Sequence, residues 1–344
     1  MKLPKPHNNK KKAPDYLKPI FKTGHGSLFL GKSENVLLSK ELRRYEGKVQ
    51  LIFTSPPFPL NKKKRYGNEQ GDAYVKWLAA YAPIFRKILA PKGSIVIEIG
   101  NAWEAGAPVQ SLLPYKSILK FIESGNFKLC QEITYYNPAR LPTPAQWVTI
   151  ERIRLKDATT KLWWIAKSDK PKADNRRVLR PYSDHMKNLL RTGKYNAGER
   201  PSQHRIGETS FLNDNGGAIA PNLIEAANTH DDNGGVIASN LIEAANTHSS
   251  NIYLKFCKDM NLNPHPARMA ESVVEFFVKF LTEPGDIVLD PFSGSNTTGA
   301  VVERLDRKWI SIEADPGFAV SGVSRFAESK AVKLLKKFNL HNEA

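Results

Sequence analysis

Short apolar runs alternate with helix-spaced apolar positions along both ends of the chain and give way to polar sequence in its middle. Ser27–Leu30 and Val49–Phe53 read as strands, the second running directly into Thr54-Ser-Pro-Pro-Phe58. Tyr74, Trp77, Leu78, Tyr81, Ile84, Phe85 and Ile88 share one face at helical spacing, which predicts a helix over 72–89. Pro91-Lys-Gly93 then turns the chain into a buried strand, Ser94–Glu98. A second helix is expected over Ser111–Glu123, with Gly125 just past its end. The pattern resumes near Ser272 with a helix to Leu281, a strand Ile287–Asp290, a helix Thr297–Leu305 and a strand Trp309–Glu313. Alternation of this kind predicts an α/β sheet layered with helices.

The polar middle sets the expected division of the chain. Residues 1–24 read as an irregular basic tail, 25–167 and 256–344 as two halves of the α/β unit, and 168–255 as an insert. Within the insert, over 214–248, Asp214–His230 and Asp232–His248 are identical at 15 of 17 positions, at a period of 18 residues. Two copies are too few for a solenoid. A segmental duplication is expected, with one copy looped out.

Charge adds a partner class. Lys and Arg number 51 against 34 Asp and Glu, a formal charge of +17 in 344 residues, which points to a polyanion such as nucleic acid. The two cysteines, Cys130 and Cys257, argue against a disulfide framework or a four-cysteine zinc site and fit a reducing cytoplasm. No apolar run approaches the ~18 residues of a membrane span. The N-terminal lysines have no apolar stretch behind them, so a signal peptide is not expected.

Two loops carry candidate chemistry. The first, Asp286–Gly299, is a strand, a small-residue turn and a helix start. Gly294 allows a ligand close to the backbone, and Asn296, Thr297 and Thr298 offer polar groups where helix N–H groups also point outward. Glu313, ending the next strand, can accept both hydroxyls of a ribose, and Asp315 follows where an adenine would lie. Gly294-x4-Gly299 is followed by Ala300 rather than the lysine of a phosphate loop, and no Gly-x-Gly-x-x-Gly occurs. A phosphate-free ligand such as S-adenosylmethionine suits this loop; a ligand-free turn is the alternative.

The second loop is Thr54–Phe58. Its prolines, Pro56 and Pro57, pre-organise the turn, holding Ser55 Oγ and the Pro56 carbonyl as acceptors, while Phe58 offers a flat face for a base. An aromatic amine is a poor nucleophile, and acceptors on its N–H groups return electron density to nitrogen. Glu98 is a further acceptor, a support for Ser55, or an ordinary strand end. Neither cysteine lies in the Pro-Cys setting that methylation at carbon 5 of cytosine requires.

Together, Thr54–Phe58 and Asp290–Gly299 resemble the catalytic and cofactor motifs of the β-group of DNA amino-methyltransferases, in which the catalytic loop comes first. Lys62–Asn68, Arg180–Asp184, Asp214–Gly217 and His265–Arg268 extend the resemblance over nearly the whole chain. It implies a doubly wound, Rossmann-like methyltransferase fold with permuted motif order and a central target-recognition insert. The implied cofactor is S-adenosylmethionine, lined by Ser33, His265, Asp290, Phe292, Gly294, Ser295, Asn296, Thr297, Glu313 and Asp315. The implied substrate is a base flipped out of duplex DNA, with Ser55 on its amine and Phe58 on its face. Ser before Pro-Pro favours cytosine N4 over adenine N6. A modification enzyme acting beside a restriction endonuclease, without direct contact, is then expected, with CAGCTG as the site by analogy within the family. Lys62, Lys63, Lys64 and Arg65 would hold phosphates, and Arg180 and Arg205 phosphates or guanine edges. This chain has Gly31-Lys32-Ser33 where the family has Gly-Asp-Ser, and Glu98 where a relative has Asp. An inactive DNA-binding module and an RNA methyltransferase are the rival readings.

Overall fold

The structure, a computed structural model, describes residues 18–58, 69–195, 198–207, 209–225 and 247–340. Strands β1 (Phe21–Lys22) and β2 (Gly26–Leu30) are followed by short helices α1 (Ser33–Leu37) and α2 (Lys40–Arg43). Then come β3 (Val49–Thr54), α3 (Gly71–Ile88), β4 (Leu89–Ile99), α4 (Leu113–Gly125), β5 (Lys128–Tyr136) and β6 (Thr159–Ala166). The middle of the chain holds α5 (Asp184–Thr192), a small hairpin of β7 (Gly198–Glu199) and β8 (Arg205–Ile206), and β9 (Leu223–Glu225). The last part holds α6 (Thr247–Asp259), α7 (Glu271–Leu281), β10 (Ile287–Asp290), α8 (Thr297–Arg304), β11 (Lys308–Glu313), α9 (Pro316–Val323) and α10 (Glu328–Phe338).

Among the described residues, nine strands form one sheet in the order β1-β2-β11-β10-β3-β4-β6-β5-β9. The run from β2 to β4 is parallel, and β6 pairs antiparallel with both β4 and β5. The centre is therefore assembled from both ends of the chain, as the motif order implies. Buried on both faces, β3 and β10 read as apolar runs for the reason that parallel strands generally do. Leu51, Phe53 and Val288 face a layer containing α7 to α10, whereas Ile52, Ile95 and Leu289 face α3 and α4. In α7, Val273, Val274, Phe277, Val278 and Leu281 are fully buried, each worth roughly 1.5–3 kcal/mol of transfer free energy.

Several boundaries differ from expectation. Pairing jumps from Val49–Leu89 to Leu51–Ser94, so Pro91-Lys-Gly93 is a bulge within β4 rather than a turn before it. Gly125 ends α4 instead of following it. Asn126 takes the left-handed cap at φ 47°, leaving Gly125 flush against the Phe127 ring. The expected division at 255/256 falls inside α6, whose Tyr253 and Phe256 are both buried. Part of the central region belongs to the main sheet, because β9 pairs parallel with β5. The expected tail, 1–24, ends too late, because Phe21–Lys22 form β1 against β2 and Phe21 is buried. Residues 1–17 and all of the second repeat copy before Thr247 lie outside the described residues. No helix among the described residues is long and apolar enough to cross a membrane.

Gly26 lies under the Trp309 indole, and a Cβ there would overlap the ring. Trp309 is 1% exposed and has no room to yield. Gly26→Ala should therefore cost about 1–3 kcal/mol through overpacking, read as a lowered urea midpoint at unchanged slope.

Candidate active site

The chain leaves β3 toward α3 and β4 on one side and leaves β10 toward α8 and β11 on the other. Such a reversal between neighbouring parallel strands opens a crevice at their carboxyl ends. Both motif loops emerge there and line a single cavity of 610 Å³. Asp290, buried at the end of β10, joins them. Its Oδ1 accepts from Thr54 Oγ1 at 2.9 Å and from Phe292 N at 3.1 Å, and its Oδ2 accepts from Thr298 Oγ1 at 2.6 Å. Burial pushes its pKa up to about 6 against the pull of these three donors. Asp290 lines the cavity, but its acceptor positions are engaged by the protein's own donors.

On the catalytic side the cavity is lined by Ser55, Pro56, Pro57, Phe58 and Glu98. Glu98 is 8% exposed, and the Ser55 hydroxyl donates to it. Burial raises the Glu98 pKa, while the Ser55 hydrogen bond and the charge of Arg140 pull it down. The Phe58 ring rests on the backbone of Gly100, where a Cβ would lie 2.5 Å from two ring carbons. Sequence reasoning passed over Gly100, because nothing local connects it with a residue 42 positions earlier.

On the opposite side, Gly294 is left-handed at φ 49° and donates its N–H to Glu313 Oε2 at 2.7 Å. Asp315 N donates to Oε1 at 2.8 Å. Burial pushes the Glu313 carboxyl up to about 7. The His265 ring sits 3.0 Å from where a Gly294 Cβ would be and packs edge-on against Phe318 at 4.6 Å. Burial lowers the His265 pKa, and Nδ1 lies 2.5 Å from the Ala267 carbonyl. Phe292 completes an aromatic wall with Trp77 at 5.6 Å and Tyr81 at 5.3 Å. The Ser33 hydroxyl donates to the Pro291 carbonyl, fixing α1 to this loop. Ser295 and Thr297 line the cavity, their hydroxyls 3.1 Å apart. Arg325, from after α9, donates to the Ser295 carbonyl at 2.8 Å and pairs with Glu271 at 3.3 Å, a buried brace with no signal in the sequence.

Two expected cofactor contacts point elsewhere. Asn296 is 1% exposed and left-handed at φ 56°, and its Oδ1 accepts from Ser311 Oγ at 2.6 Å, so the side chain anchors the turn to β11 inside the core. Asp315 caps α9, its Oδ1 accepting from Phe318 N at 2.9 Å, and does not line the cavity. Of the expected DNA contacts, Lys62 to Arg65 lie outside the described residues. Arg205 is exposed on the β7–β8 hairpin. Arg180 pairs through its backbone with Ala218 and donates from Nη2 to the Leu223 carbonyl at 3.2 Å, so it ties the first repeat copy to the preceding segment.

A crevice at a switch point, with a Ser-Pro-Pro-Phe loop facing a glycine loop and an acidic strand end, defines a methyltransferase of the Rossmann-like class. The N6/N4 DNA methylase family profile matches residues 49–321, and the chain belongs to that family, which uses S-adenosylmethionine. The chain is 39% identical over 314 residues to the Type II methyltransferase M.PvuII of Proteus hauseri, covering 91% of this chain and 87% of that one. The solved structure of the PvuII DNA methyltransferase (cytosine-N4-specific) superposes with a TM-score of 0.70 at 33% identity, over 94% of this chain and 96% of that one. A shorter stretch of 61 residues is 43% identical to the DNA adenine methyltransferase YhdJ of Escherichia coli K12, 18% of this chain and 21% of that one.

Asp290→Ala leaves two hydroxyls and an amide without their acceptor between the loops. The variant should unfold about 2–4 kcal/mol more easily in urea, as buried donors stripped of partners do.

Proposed function

We propose that this chain methylates the exocyclic N4 amine of a cytosine turned out of duplex DNA. The observation that carries this reading is the hydrogen-bonded Ser55–Glu98 pair sharing one cavity with the Gly294–Glu313 loop. The second half of that cavity fits a nucleoside without phosphate: it has a buried carboxylate at Glu313, aromatic rings at Phe292 and Trp77, and no lysine in the glycine loop. Glu313 would take the ribose, with Gly294, Ser295, Thr297, Phe292 and His265 around it. S-adenosylmethionine, when bound, supplies a sulfonium methyl.

The protein's own groups account for the rest. Because its hydroxyl proton is directed at Glu98, Ser55 Oγ keeps lone pairs free to accept an N–H of the target amine. That contact favours a pyramidal nitrogen, and the carboxylate behind it opposes the positive charge that builds there. Once the nitrogen has gained its methyl it must lose a proton. Ser55 Oγ receives that proton as it passes its own to Glu98, whose raised pKa suits it to hold one. Phe58, stopped by Gly100, fixes the plane in which the base lies.

The Ser before Pro-Pro and the whole-length likeness to a cytosine-N4 enzyme favour cytosine over adenine. The same likeness makes CAGCTG the site to test, a restriction endonuclease the companion activity, and the central segment between residue 168 and α6 the target-recognition region.

Labelled methyl transfer to duplex DNA followed by nucleoside analysis should yield N4-methylcytosine. N6-methyladenine would move the assignment to adenine, and no transfer would overturn it. Ser55→Ala should lower transfer about 100-fold or more while leaving cofactor affinity by calorimetry unchanged.

Ribose hydroxyls can both donate only to the ionised Glu313 carboxylate. With its free-state pKa near 7, the carboxyl is largely protonated at pH 6 and ionised at pH 8. S-adenosylmethionine should thus bind roughly tenfold more weakly at pH 6 than at pH 8. Glu313→Gln should flatten that profile, and a wild-type affinity independent of pH would contradict the role.

A further inference from the structure

Beyond Ser55 and Glu98 the cavity reaches Tyr135, Asn137 and Arg140, which the proposed reaction leaves without a part. Tyr135 is the penultimate residue of β5, paired in register with Thr160 of β6. It is 4% exposed, and its hydroxyl is buried with no hydrogen-bond partner among the described residues. A buried phenol O–H at a cavity wall calls for an acceptor from within that cavity. Burial and the charge of Glu98 both raise its pKa, so it stays a neutral donor.

Arg140 is pinned from behind. Its Nη1 donates to the carbonyls of Asp157 and Thr159 at 3.4 and 3.2 Å, and Nη2 donates to Thr160 Oγ1 at 3.3 Å. These bonds occupy only part of the guanidinium's N–H set. Arg140, Glu98 and Tyr135 line the same cavity, and the charge of Arg140 acts on both of the others. Asn137 is turned to local use, its Oδ1 accepting from Ala139 N at 3.1 Å.

The polar groups of this half of the cavity therefore run from acceptors, Ser55 and Glu98, to donors, Tyr135 and Arg140. The edge of cytosine presents the complementary order: an amine that donates, then ring N3 and O2 that accept. Adenine matches the amine and one ring nitrogen but has a C–H where cytosine has O2. We infer that the Tyr135 hydroxyl and the Arg140 guanidinium read the N3 and O2 acceptors of the target cytosine, making them the residues that select the base. The inference rests on the cytosine-N4 reading above. A site built to satisfy such acceptors rejects a base lacking one more strongly than an apolar pocket does.

The test is a cycle of variant against substrate analogue, using full-length protein and a duplex carrying the unmethylated target site. Tyr135→Phe and Arg140→Met should each lower kcat/KM about 10- to 100-fold. Cofactor affinity should not change, and the Tm of Tyr135→Phe should not fall, because its hydroxyl has no internal bond to lose. The target cytosine is then replaced by 3-deazacytosine, which lacks the N3 acceptor, or by 2-thiocytosine, whose acceptor at position 2 is weakened. For each variant, the loss should fail to multiply with the loss on one of the two analogues, since variant and analogue remove the same bond. Losses that multiply on both analogues for either variant, or full activity of Tyr135→Phe on cytosine, would overturn the inference. If wild-type protein forms no N4-methylcytosine on the unmodified duplex, the underlying reading itself fails, an outcome distinct from multiplying losses.

Discussion

The carboxylate of Asp290 is the constraint on which the site depends. It sits where two parallel strands end side by side and takes donors from both: Thr54 from the strand that feeds the catalytic loop, and Phe292 and Thr298 from the glycine loop and its helix. Sheet pairing alone fixes β3 against β10 only as far as Ile52 and Leu289. Beyond that register both chains leave the ladder, and a side chain must hold them. Burying a carboxylate is costly, which is why its pKa is pushed to about 6, and three hydrogen bonds offset part of that cost. Ser55 follows Thr54 directly, and Gly294 lies four residues after Asp290, so this one group sets the distance between the proposed base and cofactor ends.

What the sequence made legible follows from the same geometry. Central parallel strands are buried on both faces, so β3, β10 and β11 stand out as apolar runs. Strand β5 does not. Lys128–Tyr136 has exposed or half-exposed positions at Lys128, Leu129, Cys130 and Gln131, and nothing local marks it as sheet. The loops were legible because Pro-Pro and Gly-Ser-Asn are rare punctuation with direct backbone consequences. Side-chain direction was not. Asn296 looks like a ligand group at a helix start, yet its left-handed backbone turns it onto Ser311. Asp315 looks like a base contact and is a helix cap. Gly100 under Phe58 and Arg325 behind Ser295 act across 42 and 30 residues, beyond the reach of local pattern.

The central region is joined to the catalytic sheet rather than hung from it. Thr134 and Tyr135 of β5 are matched with Leu223 and Ile224 of β9, at the end of the described part of the first repeat copy. That copy is locked upstream as well: Gly217 packs against the Arg180 carbonyl so closely that a Cβ would come within 2.7 Å, and the Tyr182 hydroxyl accepts from Asn215 N at 2.8 Å. The strand that presents Tyr135 to the cavity is thus the strand that carries the first copy on its other edge. Main-chain hydrogen bonds, which tolerate little displacement, form the physical link between the segment proposed to meet DNA and the wall proposed to read the base.

Lys32 shows how a departure from the family pattern is accommodated. The backbone role of the position survives: Gly31 N donates to the Glu313 carbonyl at 2.8 Å, and the Lys32 carbonyl accepts from Asn35 and Val36 to start α1. Ser33, the conserved part of the motif by resemblance, still reaches the Pro291 carbonyl. Only the charge changes, because a lysine lines the cavity where the family has a carboxylate. An acid remains on that wall two residues on: Glu34 also lines the cavity and accepts from Tyr81 Oη at 2.8 Å. Tyr81 in turn packs on Phe292, so Glu34 is held by the same aromatic cluster that walls the glycine loop. The cavity wall therefore carries a lysine at the N-cap of α1 and, two residues on within its first turn, a carboxylate fixed by a phenol.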